Sequence, residues 1–260
     1  MQAGLPVTNP ALCLASYNIH RCFGTDRKYL PERIVEVLQA LDADIIGLQE
    51  VDMRLLVDGR PQLEFFAQSL RVTAIAGASV QDHRGHFGNA LLTRLPVQAV
   101  RRIDLSVRRF EPRGAIDTNM LLGDLPIRVV ATHLGLSAAE RRLQVRYLLH
   151  ALDAGQNGAA CIILGDFNEW KPGGGALRAL DRRFGRAMPL RTFPSRFPLL
   201  PLDRIWVWPP PAQHRLHAYA SPLTRLASDH LPIRAEVRWA AESFAPGTGI
   251  MAKGVAPDSF

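Results

Sequence analysis

Several short apolar runs of this chain begin or end in a carboxylate, an amide or a histidine, and that placement limits the fold more than any other feature. DIIGLQE closes on Glu50, IRVVAT is followed by His133, and CIILG is followed by Asp166 and Asn168. Asp203 lies at the start of LDRIWVW, and Asp229-His230 lead into LPIRAEV. Runs this short and this apolar read as buried strands. The first three carry their polar residue at the carboxyl end and the last two at the amino end. If the last two strands run antiparallel to the first three, all of these side chains gather on one edge. Carboxylates and amides suit a hard divalent cation, and imidazoles can touch a phosphoryl oxygen. The pattern describes a layered sheet protein with one polar rim.

Size permits such layers. At 260 residues and 47% hydrophobic, the chain can bury a full core without disulfides. Its unbroken apolar patterning predicts one domain over residues 1–240. A flexible tail is expected over 241–260, where Gly, Pro and Ser take over. Cys13 and Cys161 fall inside expected strands and the three cysteines imply no disulfide framework, which favours a reducing compartment. The amino terminus lacks the basic start and apolar stretch of a signal peptide, and no run approaches the ~20 apolar residues of a membrane helix. A cytoplasmic monomer is expected. The net charge of +7 and pI near 9.9 favour anionic partners. Of the 31 basic residues 28 are arginine, whose planar fork suits phosphate, although a compositional bias gives the same count.

Along the chain, LCLASYNI (12–19) reads as the first strand and LPERIVEVLQAL as a helix with Pro31 at its start. DIIGLQEV (44–51) is a buried strand, residues 61–70 a second helix and 72–80 a strand. QDHRGHFG (81–88) reads as a loop, followed by strands at NALLT and VQAVRRIDL. RGAIDTNMLL and IRVVATHL are two strands joined by a Gly-Asp turn. SAAERRLQVRYLLHAL is the clearest helix, with Ser137 and Glu140 in a capping pattern and Leu143, Tyr147, Leu148, Ala151 and Leu152 as its inward stripe. CIIL is a strand, GGGALRALDRRF a loop and helix, and LDRIWVW and LPIRAEVRW are the last strands. Strands outnumber helices and neighbours are often antiparallel, which predicts two packed sheets flanked by helices.

Taken singly, each motif admits two readings. In GDFN, residues two apart at a strand end share a face, so Asp166 and Asn168 can both point into one site. The same four residues can be an Asx turn leaving a strand. Glu50 is a metal ligand or a solvated strand end. Asn18 can simply terminate a strand, His133 can be a satisfied sheet-edge histidine, and Ser228-Asp229-His230 can be a turn.

Their joint order narrows the choice. NIH, QEVD, THLG, GDFN, LDRIWV and SDHLP, in this order over about residues 11–239, resemble the endonuclease/exonuclease/phosphatase superfamily, the DNase I-like fold. The resemblance implies an α/β (α+β) four-layer sandwich, with two mixed, mostly antiparallel sheets packed face to face and flanked by helices. It also implies Mg²⁺-dependent cleavage of phosphate esters, with Mn²⁺ as a substitute. By matching position, Asn18, Glu50 and Asp229 would hold the metal. Asp166 would activate or position water beside Asn168, and His230 would contact the phosphate, oriented by Asp203. His133 matches a second histidine of the DNase I and sphingomyelinase branches. Asn89 and Arg113 align less securely as phosphate-binding residues.

The substrate stays open at this level. ILGDFNEW and LPLDRIWV depart from the pattern of inositol polyphosphate phosphatases, and His133 counts against abasic-site endonucleases. RGHFG, RRF and RTFPSRF could face DNA or RNA, or be ordinary loop arginines with packed phenylalanines. Trp170 and the Gly173–Gly175 loop could wall a pocket. A small phosphoester, a lipid head group and a nucleic acid all fit, and the charge is compatible with peripheral contact at a membrane, although no amphipathic anchor helix insists on it. A catalytically silent binding module of the same fold is the remaining reading.

Overall fold

Two βαβ crossovers organise the molecule, and each ends two strands side by side at the same edge. The computed structural model describes residues 9–83, 85–154, 159–171 and 175–244. Strand β1 (Ala11–Asn18) passes through helix α1 (Pro31–Leu41) to β2 (Ile45–Asp52), which lies parallel to it. A two-stranded ribbon, β3 (Leu56–Val57) and β4 (Arg60–Pro61), precedes α2 (Gln62–Leu70), and β5 (Thr73–Asp82) and β6 (Gly85–Thr93) form a hairpin. Next come β7 (Val97–Asp104), β8 (Gly114–Leu122) and β9 (Leu125–His133), and then α3 (Ala138–Asp153) crosses to a parallel β10 (Ala160–Asp166). Helix α4 (Arg178–Phe184), β11 (Asp203–Trp208), β12 (Gln213–Ala218), α5 (Pro222–Ala227) and β13 (Ile233–Arg238) complete the fold.

The sheets have the order β12-β13-β1-β2-β6-β5 and β11-β10-β9-β8-β7. All neighbours except β1–β2 and β9–β10 are antiparallel. Parallel neighbours need a long connection, which the helices supply on the outer faces. Alternation along each strand then builds the layers. Leu14, Ile45 and Leu91 from one sheet meet Val129, Ile162 and Leu164 from the other in the central core. On the opposite faces, Ala15 and Leu48 pack on Ile34 and Leu38 of α1, and Val130 and Ile163 pack on Val145 and Leu148 of α3. The result is the expected four-layer sandwich. The sheets pack tightly at Gly47, where a Cβ would come within 2.0 Å of the Leu164 side chain.

Three local expectations change. QDHRGHFG is not a loop: β5 and β6 continue to an Asp82–Gly85 pair, because Gly85 and Gly88 supply the φ values of +135° and +157° that the arms need. Arg84, at the turn, lies outside the described residues. Helix α3 keeps its Ser137–Glu140 capping box and turns Leu148 and Leu152 of the expected stripe inward, but its buried face also takes in polar positions. Gln144, Val145, Leu148 and Leu152 are buried together with Glu140 and Arg141, while Tyr147 is exposed. The polar members face the loop after β9, which needs their hydrogen bonds. Strand β12 and helix α5 escaped the sequence reading, since QHRLHA is too polar and PLTRLA too short to show a period. The expected tail lies outside the described residues from 245 onward, as do Gly173 and Gly174 of the proposed wall. No helix among the described residues is long and apolar enough to cross a membrane.

Candidate active site

Register alone lines up the first row of the site. In the second sheet, Asp166 pairs with His133 across the parallel β9–β10 ladder and with Asp203 across the antiparallel β10–β11 ladder. Three adjacent strands thus present one polar side chain each at the same height. Gly165 makes this possible: its φ is +152°, and a Cβ there would sit 1.9 Å from the Thr132 carbonyl oxygen. Only glycine fits, and it turns Asp166 and the following Asn168 (φ +50°) into the rim.

The first sheet adds a second row. Asn18 ends β1 beside Gln49 of β2. The β2–β6 register then slips between Leu48 and Val51, and Glu50 at this bulge adopts φ +59°. A bulge re-aims a side chain. A left-handed φ on a glutamate is strained backbone of the kind that clusters at functional sites. The Asn18 amide bridges the rows, donating to Glu50 Oε1 at 3.0 Å and to Asp166 Oδ2 at 3.1 Å, while its oxygen accepts from the His20 N–H at 3.0 Å. Asp229 and His230, just before β13, arrive from the same sheet. Ser228 holds this segment by donating to the Asn18 carbonyl at 2.7 Å.

Asp166 Oδ2 is the point of convergence. Besides Asn18, it lies 3.5 Å from His133 Nε2 and 3.7 Å from His230 Nε2. The two histidines are held in opposite charge states. Burial drives His133 down to about 3, with the neighbouring Arg113 adding to the effect against the pull of Asp166. Burial also acts to lower His230, but the Asp203 and Asp166 carboxylates outweigh it and push the group up to about 10. His133 is therefore neutral and His230 an imidazolium at neutral pH. Asp203 fixes His230 through Nδ1 at 3.0 Å and is itself held by the Thr192 hydroxyl at 2.5 Å. Phe193 packs on the His230 ring, 4.9 Å between centroids.

Arg113 Nη1 lies 3.3 Å from His133 Nδ1, and Nη2 donates to Glu111 at 3.3 Å. Its buried Nε has no partner among the described residues. Asn168 donates to the Leu134 carbonyl at 2.8 Å and lies 3.1 Å from His133 Nε2. The Asn89 amide donates to the Gly114 carbonyl at 2.8 Å, tying one sheet to the other. Two contributors had no assigned role in the sequence reading. His20, 3.8 Å from Asp229 Oδ1, sits in the NIH motif and could have been found there. Thr192 is an ordinary loop hydroxyl and left no signal.

Two candidate sets could receive a cation. Asp166, Asp203 and His230 bring ligand atoms within 4.8 Å of one another. His230 Nδ1 is already engaged by Asp203, however. Glu50 is the better centre: burial raises its pKa, and the Asp229 and Asp166 charges raise it further against the Asn18 hydrogen bond. A cation would supply the charge this group lacks.

A two-sheet α/β sandwich with carboxylates and histidines gathered at one rim defines the DNase I-like class, in which phosphoesterases and nucleases share one fold. A family model agrees over residues 15–230, and the chain belongs to the endonuclease/exonuclease/phosphatase family. It is 33% identical over 244 residues to the uncharacterized protein YbhP of Escherichia coli K12, covering 85% of this chain and 93% of that one. Among solved structures, an endonuclease/exonuclease/phosphatase from Bacteroides vulgatus superposes with a TM-score of 0.73 at 17% identity, over 88% of this chain and 99% of the other. The human Nocturnin catalytic domain, with a bound sulfate anion, superposes with a TM-score of 0.68 at 20% identity, over 88% and 94%.

Proposed function

We propose that the protein is a Mg²⁺-dependent phosphodiesterase that cleaves a phosphate ester by in-line attack of water. The observation that carries this reading is the convergence of His133, His230 and Asn18 on one carboxylate oxygen, Asp166 Oδ2, at 3.5, 3.7 and 3.1 Å. Environments that push two titratable groups apart mark out acid and base roles. Asp166 is placed to orient the attacking water and take its proton. His230, fixed by Asp203, has Nε2 turned into the site. It donates to a phosphoryl oxygen and then passes its proton to the departing alkoxide, leaving a neutral imidazole. Arg113 holds a second phosphoryl oxygen with its unspent donor capacity. Neutral His133 and Asn168 hold Asp166 and the water in line without adding charge.

Glu50 and Asp229 would hold the metal, with Asn18 orienting Glu50 or turning its own oxygen inward. A bound Mg²⁺ supplies electrostatic stabilisation of charge developing on the phosphoryl group. Few protein carboxylates suffice, because Mg²⁺ keeps several waters.

The test is hydrolysis of bis-p-nitrophenyl phosphate with Mg²⁺ or Mn²⁺, with and without EDTA. Asp166→Ala and His230→Ala are each expected to lower turnover by at least about 100-fold in protein that remains folded. Activity that survives either substitution, or survives EDTA, overturns the assignment. No turnover with either metal favours a silent binding module.

A further inference from the structure

We propose that the mouth of this site docks onto an anionic phospholipid surface, so that the phosphoester cleaved is a lipid head group. The inference rests on the phosphoesterase reading above and adds to it a substrate class and a partner.

Half of the exposed large apolar side chains gather on the loops of the site. Ten are present among the described residues, and five of them sit on loops that carry or contact the site. Phe110 (44% exposed) is three residues before Arg113, Leu136 (71%) three after His133, and Trp170 (43%) two after Asn168. Phe197 (77%) and Leu199 (63%) belong to the segment leading into β11, in which Thr192 holds Asp203 and the Ser195 N–H donates to the Asp229 carbonyl at 2.7 Å. Single exposed apolar residues need no explanation, but a group of them around one opening marks an interaction surface.

These tips are rigidly held. Buried Arg141 donates to the carbonyls of Gly135 and Leu136, at 3.3 and 2.6 Å, and to Glu169 at 3.2 Å. Its guanidinium also stacks on Trp170, 5.4 Å from the ring centroid. One side chain therefore fixes both the Leu136 and the Trp170 loops. The segment bearing Phe197 and Leu199 closes on itself through the Leu199 N–H to the Phe193 carbonyl at 2.9 Å, and Arg225 donates to the Ser195 and Arg196 carbonyls at 2.9 and 2.8 Å. Fixed apolar tips that stay exposed to water among the described residues form a surface suited to something apolar.

Charge selects the occupant. Arg108 and Arg109 precede Phe110, and Arg191 begins the segment that carries Phe197. All three are exposed and make no ion pair among the described residues. Basic side chains interleaved with Trp, Phe and Leu on a water-facing surface match the boundary of an anionic bilayer, where rings and aliphatic chains enter the head-group layer and arginines meet lipid phosphates. Nucleic acid fits less well. Leu136 and Leu199 cannot stack on bases, and other arginines near the mouth are already committed to protein partners, Arg21 to Asp52 at 3.0 Å and Arg225 to backbone carbonyls. Docking through these loops would bring lipid head groups to the site that the loops carry.

The experiment is flotation of the full-length protein with vesicles of phosphatidylcholine, alone or with about one third phosphatidylglycerol. It includes parallel binding to a single-stranded oligonucleotide, turnover of soluble bis-p-nitrophenyl phosphate, and release of head-group phosphate from the bound vesicles, whose absence while the soluble diester is cleaved overturns the lipid-substrate claim. The variants are Phe197→Ser with Leu199→Ser, and Arg108→Gln with Arg109→Gln. The protein is expected to float with the anionic vesicles only. Each double variant should weaken binding by roughly tenfold while the soluble diester is turned over at the parent rate. Failure to bind anionic vesicles, equal binding by parent and variants, or preferential binding to the oligonucleotide overturns the proposal. Loss of soluble turnover in the parent overturns the phosphoesterase reading instead, and vesicle binding is read independently of it.

Discussion

Replacing Asp117 by asparagine keeps the side chain's volume and removes one charge from the back of the second sheet. Asp117 Oδ1 accepts from Arg128 Nε at 2.8 Å; Oδ2 accepts from Arg128 Nη2 at 2.8 Å and from Arg101 at 3.0 and 2.6 Å. The two arginines also reach the last carbonyls of α3, Arg101 to Ala151 at 2.6 Å and Arg128 to Leu152 at 2.9 Å, where cations are favoured. An asparagine must place an NH₂ where one oxygen stood, facing a guanidinium donor. The Arg101 side chain, 40% exposed, can turn to water, but that of Arg128, 3% exposed, cannot. Stranding a buried charge costs about 3–5 kcal/mol. The lower end applies because Leu152 still accepts, so the melting temperature should fall by roughly 6–12 °C. The same pair gives a pH dependence. Burial alone would raise the Asp117 carboxyl, but Arg128 and Arg101 outweigh it and hold the group below the ordinary carboxylate range. Its contribution is thus present above the unfolded value near 4 and is lost as pH falls through the lower folded value. Thermal melts of Asp117→Asn and parent at neutral pH and at about pH 3 should converge on acidification. A variant melting within about 2 °C of the parent at neutral pH would falsify the claim that this network ties α3 to its sheet.

Gly165→Ala should lose about 3 kcal/mol or more together with turnover, since its Cβ would meet the Thr132 carbonyl oxygen at 1.9 Å; a melt and a rate near parental values would contradict the register argument. Arg141→Met should cost about 3 kcal/mol and speed proteolytic cleavage near Leu136 and Trp170, because Glu169 loses its partner in the protein interior. Saturating Mg²⁺, at about 100 times its dissociation constant, should raise the parent's melting temperature by roughly 5–11 °C and leave Glu50→Gln nearly unmoved. A parent that shows no shift lacks the cation site.

The strands, helices and layer order were legible because burial writes a period into the sequence, as in DIIGLQE and LPERIVEVLQAL. The convergence of Asp166 with His133, Asp203 and His230 was legible from which end of each run carried its polar residue. Three things were not. The bulge that turns Glu50 inward depends on pairing with β6, which lies some 40 positions later in the chain and leaves no local mark. The inward Arg141 broke the apolar period of α3, so amphipathic reading favoured Tyr147 instead. The Asn89 hydrogen bond to the Gly114 carbonyl, which joins the two sheets, leaves no mark in FGNALLT.

The division of the site between two sheets has a chemical consequence. One row, from β2 and the segment before β13, brings Glu50 and Asp229 together, and His20 beside Asp229 is the nearby basic side chain. That half is short of positive charge. The other row places Arg113 and the His230 imidazolium on either side of Asp166 and His133, with Asp203 already engaged by His230. That half can accept an anion without adding a counter-charge. A cation on the first row and a phosphoryl group on the second would each balance the charge of the row that receives it, and would attract each other. Asn18, hydrogen-bonded to Glu50 on one side and Asp166 on the other, is the side chain through which the two rows are joined. Asn18→Ala should therefore weaken Mg²⁺ and phosphate binding together, whereas Glu50→Gln acts first on the metal and His230→Ala first on the phosphate. Titrations of Mg²⁺ in the presence and absence of inorganic phosphate would separate these cases. If the Asn18 variant kept the coupling between the two ligands, the rows would have to communicate by field alone.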